Sequence, residues 1–117
     1  MIDLWLDDER DPDDRLIQEM FDSFPGMLWV KTAFAAINRL KSGEVRYISF
    51  DHDLGTGPTG YEVAKWIEER AFHGDIPRIE WNVHSKNPQG ANDIIAAMKN
   101  ADKYWAAREN IEEVGEH

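Results

Sequence analysis

The sequence predicts an α/β domain, with a parallel sheet of four or five strands covered by helices on both faces. Two observations carry this expectation. Short apolar runs alternate with segments of roughly 10 to 15 residues that have helical spacing, the mark of strand–helix–strand units. Three of the apolar runs also stop abruptly at polar clusters: Asp7-Asp8, Asp51-His52-Asp53 and His84-Ser85. In open parallel sheets, sites lie at the carboxyl ends of the strands.

The elements follow in order. Met1 to Leu6, MIDLWL, is the first strand and ends at Asp7, Asp8, Glu9 and Arg10. In the DPDD that follows, Asp11 is placed to cap a helix, Pro12 suits its first position and Asp14 favours its positive end. Leu16, Ile17, Met20 and Phe21 continue with helical spacing as far as the Phe24-Pro25-Gly26 turn. Met27 to Val30 is the second strand. Thr32 can cap a second helix with Phe34, Ile37 and Leu40 on its apolar face, closed by Gly43 as a left-handed cap. Val45 to Phe50 is the third strand. Thr59 to Glu62 has the capping-box spacing, which opens a helix from Gly60 to about Ala71. Gly74 and Pro77 break the chain before the fourth strand, Ile79 to Val83. Asn87-Pro88 starts the next helix, with Ile94, Ile95 and Met98 facing inward. Tyr104 and Trp105 fit either a short fifth strand or an extension of that helix, and the acidic tail from about residue 107 is expected to fray. Right-handed crossovers then favour the flavodoxin-like order 2-1-3-4(-5). That order sets strands one, three and four side by side, so their polar ends meet.

At 117 residues the chain reads as a single domain, and 42 % hydrophobic content with five tryptophans supports a real core. No apolar run is long enough to span a bilayer, and the amino terminus lacks a basic, apolar signal. The absence of cysteine excludes disulfides and thiolate chemistry, and the expected location is cytoplasmic. A net charge of −10 argues against binding long duplex nucleic acid, which calls for a basic face. A small phosphorylated ligand remains compatible with that charge, because a bound metal ion reverses it locally.

Carboxylates crowded at one sheet edge repel each other unless a cation intervenes. Hard oxygen donors suit Mg²⁺, Mn²⁺ or Ca²⁺. Asp7, Asp8 and Asp51 are therefore the expected ligands of a divalent ion, while Asp53 either joins them or turns the loop. The plain alternative is that these residues cap the following helices and turns. His52 and His84 are the candidate proton carriers, and each also reads as a satisfied structural histidine. Gly55, Gly57 and Gly60 in GTGPTG either present amides to a phosphate or serve as a connector. Ser85, Lys86, Asn87 and Arg10 are the candidate phosphate contacts, Arg10 as a bidentate fork. Trp5, Trp29 and Trp66 read as core, and Trp81 either packs or stacks on a base.

An acidic pair after the first strand, an Asp after the third, a glycine-bearing loop and a Ser after the fourth resemble the receiver domain of two-component signalling. In that resemblance Asp51 is the phosphoacceptor and Asp7 and Asp8 hold Mg²⁺. One feature departs from it: receivers carry Lys-Pro after a fifth strand, whereas here Lys103 precedes the candidate strand. LWLDDER, WVKTAFAAINRLKSG, ISFDHDLG, TGYEVAKWIE and VHSKNPQGA together look more like the cyclic-phosphate processing receiver-like family, from Leu4 to about Ala91. This resemblance implies a receiver-derived fold and the processing of cyclic phosphates on nucleotides or RNA ends. Asp11 to Phe24 is longer than usual for that family, which suits reshaping of the site or contact with a protein partner.

The resulting expectation is a Mg²⁺- or Mn²⁺-dependent phosphoesterase. Asp7, Asp8 and Asp51 hold the ion, His52 and His84 share the roles of base and acid, and Ser85, Lys86, Asn87 and Arg10 position the phosphate. Two alternatives stand beside it: a signalling module phosphorylated on Asp51, and a non-catalytic module that binds a cyclic nucleotide or a protein.

Overall fold

The computed structural model describes the backbone of residues 1–115 and the side chains of residues 1–110. Its elements are β1 (Ile2–Leu6), α1 (Arg15–Phe21), β2 (Leu28–Val30), α2 (Ala33–Leu40), β3 (Val45–Phe50), α3 (Gly60–His73), β4 (Glu80–Val83) and α4 (Pro88–Gly115). The strands form one parallel sheet of order β2-β1-β3-β4, as the alternation of strands and helices predicts. Leu6 pairs with Val30 on one side and Phe50 on the other, and Phe50 pairs with Val83. The carboxyl ends of all four strands are therefore level.

Strand alternation divides the side chains between two faces. Leu4, Leu6, Ile48 and Phe50 join Ala36, Leu40, Val63, Ile67, Ile94 and Met98 in the main core, under α2, α3 and α4. Trp5 and Ser49, which pair across β1 and β3, are also buried but stand outside that cluster. The segment between β1 and β2 covers them. Its Phe24 ring packs 5.8 Å from Tyr47, its Phe21 ring meets His84 edge-on at 6.3 Å, and Ser23 is pinned to the Pro12 carbonyl at 2.9 Å.

Several local expectations shift. Asp14, not Asp11, caps α1, accepting from the Leu16 amide; Asp11 instead closes a turn onto Asp13 and Asp14. That turn delays the helix from Pro12 to Arg15, three residues, and shortens it. Leu16 and Met20 of α1 lie exposed, so its apolar spacing does not feed the core. On α2 the buried stripe is Ala33, Ala36 and Leu40, whereas Phe34 is 76 % exposed. Alanines let α2 approach the sheet closely, and Phe34, one residue round the helix, is turned out. Thr32 caps α2 and Gly43 takes a positive φ of 74°, as expected. Thr59 has an extended cap backbone but makes no side-chain cap bond. Tyr104 and Trp105 lie in α4, and the described residues contain no fifth strand. The stripe Ile94, Met98, Ala101, Trp105 continues unbroken at helical spacing, which is why the helix wins. Side chains after residue 110, where fraying of the acidic tail was expected, lie outside those described.

Candidate functional site: an acidic cleft at the strand ends

The sheet itself aims the first polar residue after each of β1, β3 and β4. The Asp7 amide donates to Val30 O at 3.1 Å, the Asp51 amide to Leu6 O at 2.8 Å and the His84 amide to Phe50 O at 2.9 Å. Each polar residue is thus one further rung on the ladder, and its side chain cannot drift from the strand end. Asp7, Asp8 and Asp51 each offer a carboxylate oxygen, and these three atoms lie within 4.8 Å of one another. Three hard oxygen donors at this spacing fit Mg²⁺ or Mn²⁺.

Asp7 is completely buried and heavily bonded. Its Oδ1 accepts the amides of Glu9 and Arg10, both at 2.9 Å. Its Oδ2 accepts Arg10 Nη1 at 2.9 Å and meets His84 Nε2 at 3.0 Å. Burial alone would push the Asp7 pKa up, but the bonds from His84, from the two amides and from the guanidinium prevail and hold it at about 2. An ionised Asp7 requires His84 Nε2 to carry the proton. The other ring nitrogen, Nδ1, is 2.8 Å from Ser49 Oγ, and the ring stacks flat on Trp5 at 3.8 Å.

Asp51 is shifted the other way. Burial raises its pKa first, the charge of Asp7 adds to that, and His84, Arg10 and the His52 amide offset only part. Its Oδ1 accepts from the His52 amide, while Oδ2 stands 3.7 Å from Arg10 Nη1, beyond hydrogen-bond reach. Asp51 opens into a cleft of about 760 Å³ whose rim includes Asp8, Arg10, Asp53, Gly55, Lys86 and Asn87.

The sheet therefore brings together Asp7, Asp8, Asp51, Arg10, Lys86 and Asn87 of the residues singled out in the sequence. Ser85 and the two histidines are not part of the cleft wall. His84 buttresses Asp7 from behind, with both ring nitrogens engaged and its side chain 1 % exposed. His52 lies over the start of α4, where a Cβ on Gly90 would come within 2.3 Å of its ring, and Nδ1 is 2.9 Å from Asp53 Oδ1. Ser85 Oγ accepts the Asn87 amide, and Asn87 Oδ1 accepts the Gly90 amide and so caps α4.

Of the glycines, Gly55 borders Asp8 with a φ of 79°. Gly60 serves packing, because a Cβ there would stand 2.0 Å from the Asp51 carbonyl oxygen, and its amide donates to His52 O at 2.8 Å. Three contributors escaped the sequence reading. Trp5 Nε1 donates to Arg10 O at 2.8 Å and Trp29 Nε1 to Asp7 O at 2.7 Å, so two indoles pin the β1–α1 loop. Phe21 lies beneath two cations, Arg10 at 4.4 Å and Lys86 at 5.5 Å. Apolar character marks Trp5 and Trp29 as core in the sequence, and helical spacing is all the sequence shows of Phe21.

A 2-1-3-4 parallel sheet with an acidic pair after β1 and a buried Asp after β3 defines a receiver-like α/β domain. The chain belongs to the family described as the Cyclic-phosphate processing Receiver domain, whose sequence model matches residues 2–100. Comparison finds no matching curated protein and no matching solved structure. Among the described residues no helix is long and apolar enough to cross a membrane.

Proposed function

We propose that the cleft takes a cyclic phosphate, on a nucleotide or an RNA terminus, and opens its ring by hydrolysis with a divalent ion held by Asp7, Asp8 and Asp51. The observation behind this reading is a cluster of three carboxylates, Asp8 and Asp51 on the cleft and Asp7 buried beside them, with two cationic side chains, Arg10 and Lys86, on the same wall. Mg²⁺ or Mn²⁺ bound there supplies charge neutralisation at the phosphoryl oxygens. Arg10 and Lys86 bind the phosphate from the Phe21 side, and Asn87 lies at the rim. Asp51, which faces the cleft, takes the proton of the attacking water. The water oxygen bonds to phosphorus, the ring P–O bond breaks, and a phosphomonoester remains. The leaving oxygen takes its proton from solvent at the open cleft, to which Asp51 returns the one it accepted, and His52, outside the cleft wall, holds Asp53 at the rim. His84 acts through Asp7, whose ionised form and orientation it maintains.

A second reading, phosphorylation of Asp51 itself, draws on one observation: Asp51 Oδ2 is held by no bond to Arg10 and lies at the cleft. One experiment separates the two. The protein is incubated with 2′,3′-cyclic mononucleotides and with RNA ending in a 2′,3′-cyclic phosphate, in Mg²⁺, Mn²⁺ or EDTA. Hydrolysis should require the ion and fall by about 100-fold or more in Asp51→Asn. Acid-labile labelling of Asp51 by acetyl phosphate, with no turnover of any cyclic phosphate, would replace the first reading with the second.

A further inference from the structure

Asp7 has no spare acceptor position. A carboxylate offers about four lone-pair sites, and Glu9 N, Arg10 N, Arg10 Nη1 and His84 Nε2 fill them. A divalent ion therefore reaches Asp7 only if one of these donors leaves. Two are main-chain amides in the loop that Trp5 and Trp29 pin. A third is the His84 ring, clamped between Ser49 and the face of Trp5. The Arg10 side chain is the fourth. It is 23 % exposed, it lines the open cleft, and its guanidinium stands 2.9 Å from Asp7 and 3.7 Å from Asp51.

We propose that Arg10 is the resident counter-cation of the carboxylate cluster, and that its guanidinium leaves Asp7 when a divalent ion binds and turns to the phosphate. The inference rests on the divalent-ion reading of the cleft and adds a coupling to it. In either state a positive charge faces Asp7 and Asp51, so the carboxylates are never left to repel each other unscreened. The exchange also links two ligands. Binding of the ion frees a bidentate donor for the phosphate, and phosphate keeps the guanidinium off Asp7. By linkage each ligand must then strengthen the other. Phe21 supports the guanidinium in its place on Asp7, 4.4 Å from the ring centre, with Lys86 over the same ring. This assigns a role to α1, whose residues contribute little to the core.

The test is an amide NMR titration of the full chain with Mg²⁺, with and without inorganic phosphate. Arg10→Gln removes the competing charge and should tighten Mg²⁺ about tenfold, the worth of one charge-assisted hydrogen bond. It should also abolish the gain in Mg²⁺ affinity that phosphate produces in the natural protein. Phe21→Leu keeps Arg10 but removes its aromatic support, and should tighten Mg²⁺ by about two- to threefold. It keeps the test decisive if Arg10→Gln folds poorly. Binding that emerges only in Arg10→Gln, with phosphate as without it, would show a guanidinium that blocks Asp7 and never yields it, and overturns the exchange. Unchanged or weaker Mg²⁺ binding in the variants overturns the proposal and leaves the divalent-ion reading standing. No Mg²⁺ binding by the natural protein or either variant overturns both.

Discussion

Asp7 and Asp51 bring carboxylate oxygens within 4.8 Å of one another, yet the fold treats their charges in opposite ways. The ionised form of Asp7 is favoured, since its bonds to His84, Arg10 and Glu9 outweigh burial. That stabilisation is complete above the unfolded-chain value of about 4 and is lost as pH falls towards about 2, and it amounts to about 2 kcal/mol. The ionised form of Asp51 is disfavoured by burial and by the charge of Asp7. At neutral pH it therefore costs stability, and protonation relieves that cost as pH falls through its raised value. Urea unfolding at neutral pH should separate the two. Asp7→Asn should lose about 3–5 kcal/mol, because one of the two accepting oxygens becomes an NH2 donor and the charge facing Arg10 is gone. Its stability should also be flatter than the natural protein's between about pH 4 and 2. Asp51→Asn should raise the midpoint, and a loss comparable to that of Asp7→Asn would refute this division. The positions of both aspartates were legible in the sequence, because a parallel sheet fixes where its strands end. The partners of Asp7 were not. They depend on a histidine 77 residues away in sequence and on which face of Trp5 it covers.

At the scale of elements, the junction of β3 and α3 is the tightest contact near the site. The amide of Gly60, the first residue of α3, lies against the chain leaving β3, and a Cβ on Gly60 would stand 2.0 Å from Asp51 O, a backbone atom unable to yield. Gly60→Ala should therefore push α3 away from the strand end at a cost of roughly 1–3 kcal/mol. It should also broaden or shift the amide signals of Asp51 and His52 in NMR. An unchanged urea midpoint with unshifted signals would show that the junction has slack. Signals confined to one or two residues were readable without the fold: Thr32 as a cap and Gly43 as a left-handed terminus both act through their own backbone. Signals that required a choice between neighbours were not. Asp11 and Asp14 are equally good caps by type, and the turn closed by Asp11 decides between them. Phe34 and Ala33 differ by one position, and the closeness of α2 to the sheet favours the smaller side chain.

For the whole molecule, the core does not finish where the sheet does. Beyond residue 100, α4 still buries Ala101 completely and leaves Trp105 only 4 % exposed. The Trp105 indole donates to Ile76 O at 3.3 Å, and Asp102 accepts from Trp81 Nε1 at 3.0 Å. Arg78 lies near the Trp105 ring at 5.9 Å and grips Glu109 through two nitrogens, at 2.9 and 3.2 Å. The loop before β4, which carries His84 to Asp7, is thus held by the second half of α4. Ending the chain after Asn100 removes two large aromatics, Tyr104 and the buried Trp105, the latter worth about 3–5 kcal/mol by itself, and strips the acceptor from Trp81. Against a typical total of about 5–15 kcal/mol, that loss should abolish cooperative thermal unfolding, monitored by circular dichroism, in residues 1–100. Residues 1–110 retain Trp105, Arg108 and Glu109 and should melt within a few degrees of the full chain, about 4 °C or less. Equal melting of the two truncated chains would mean that the β4 loop holds without the second half of α4. The position of His84 behind Asp7 would then have to come from β3 and Trp5 alone.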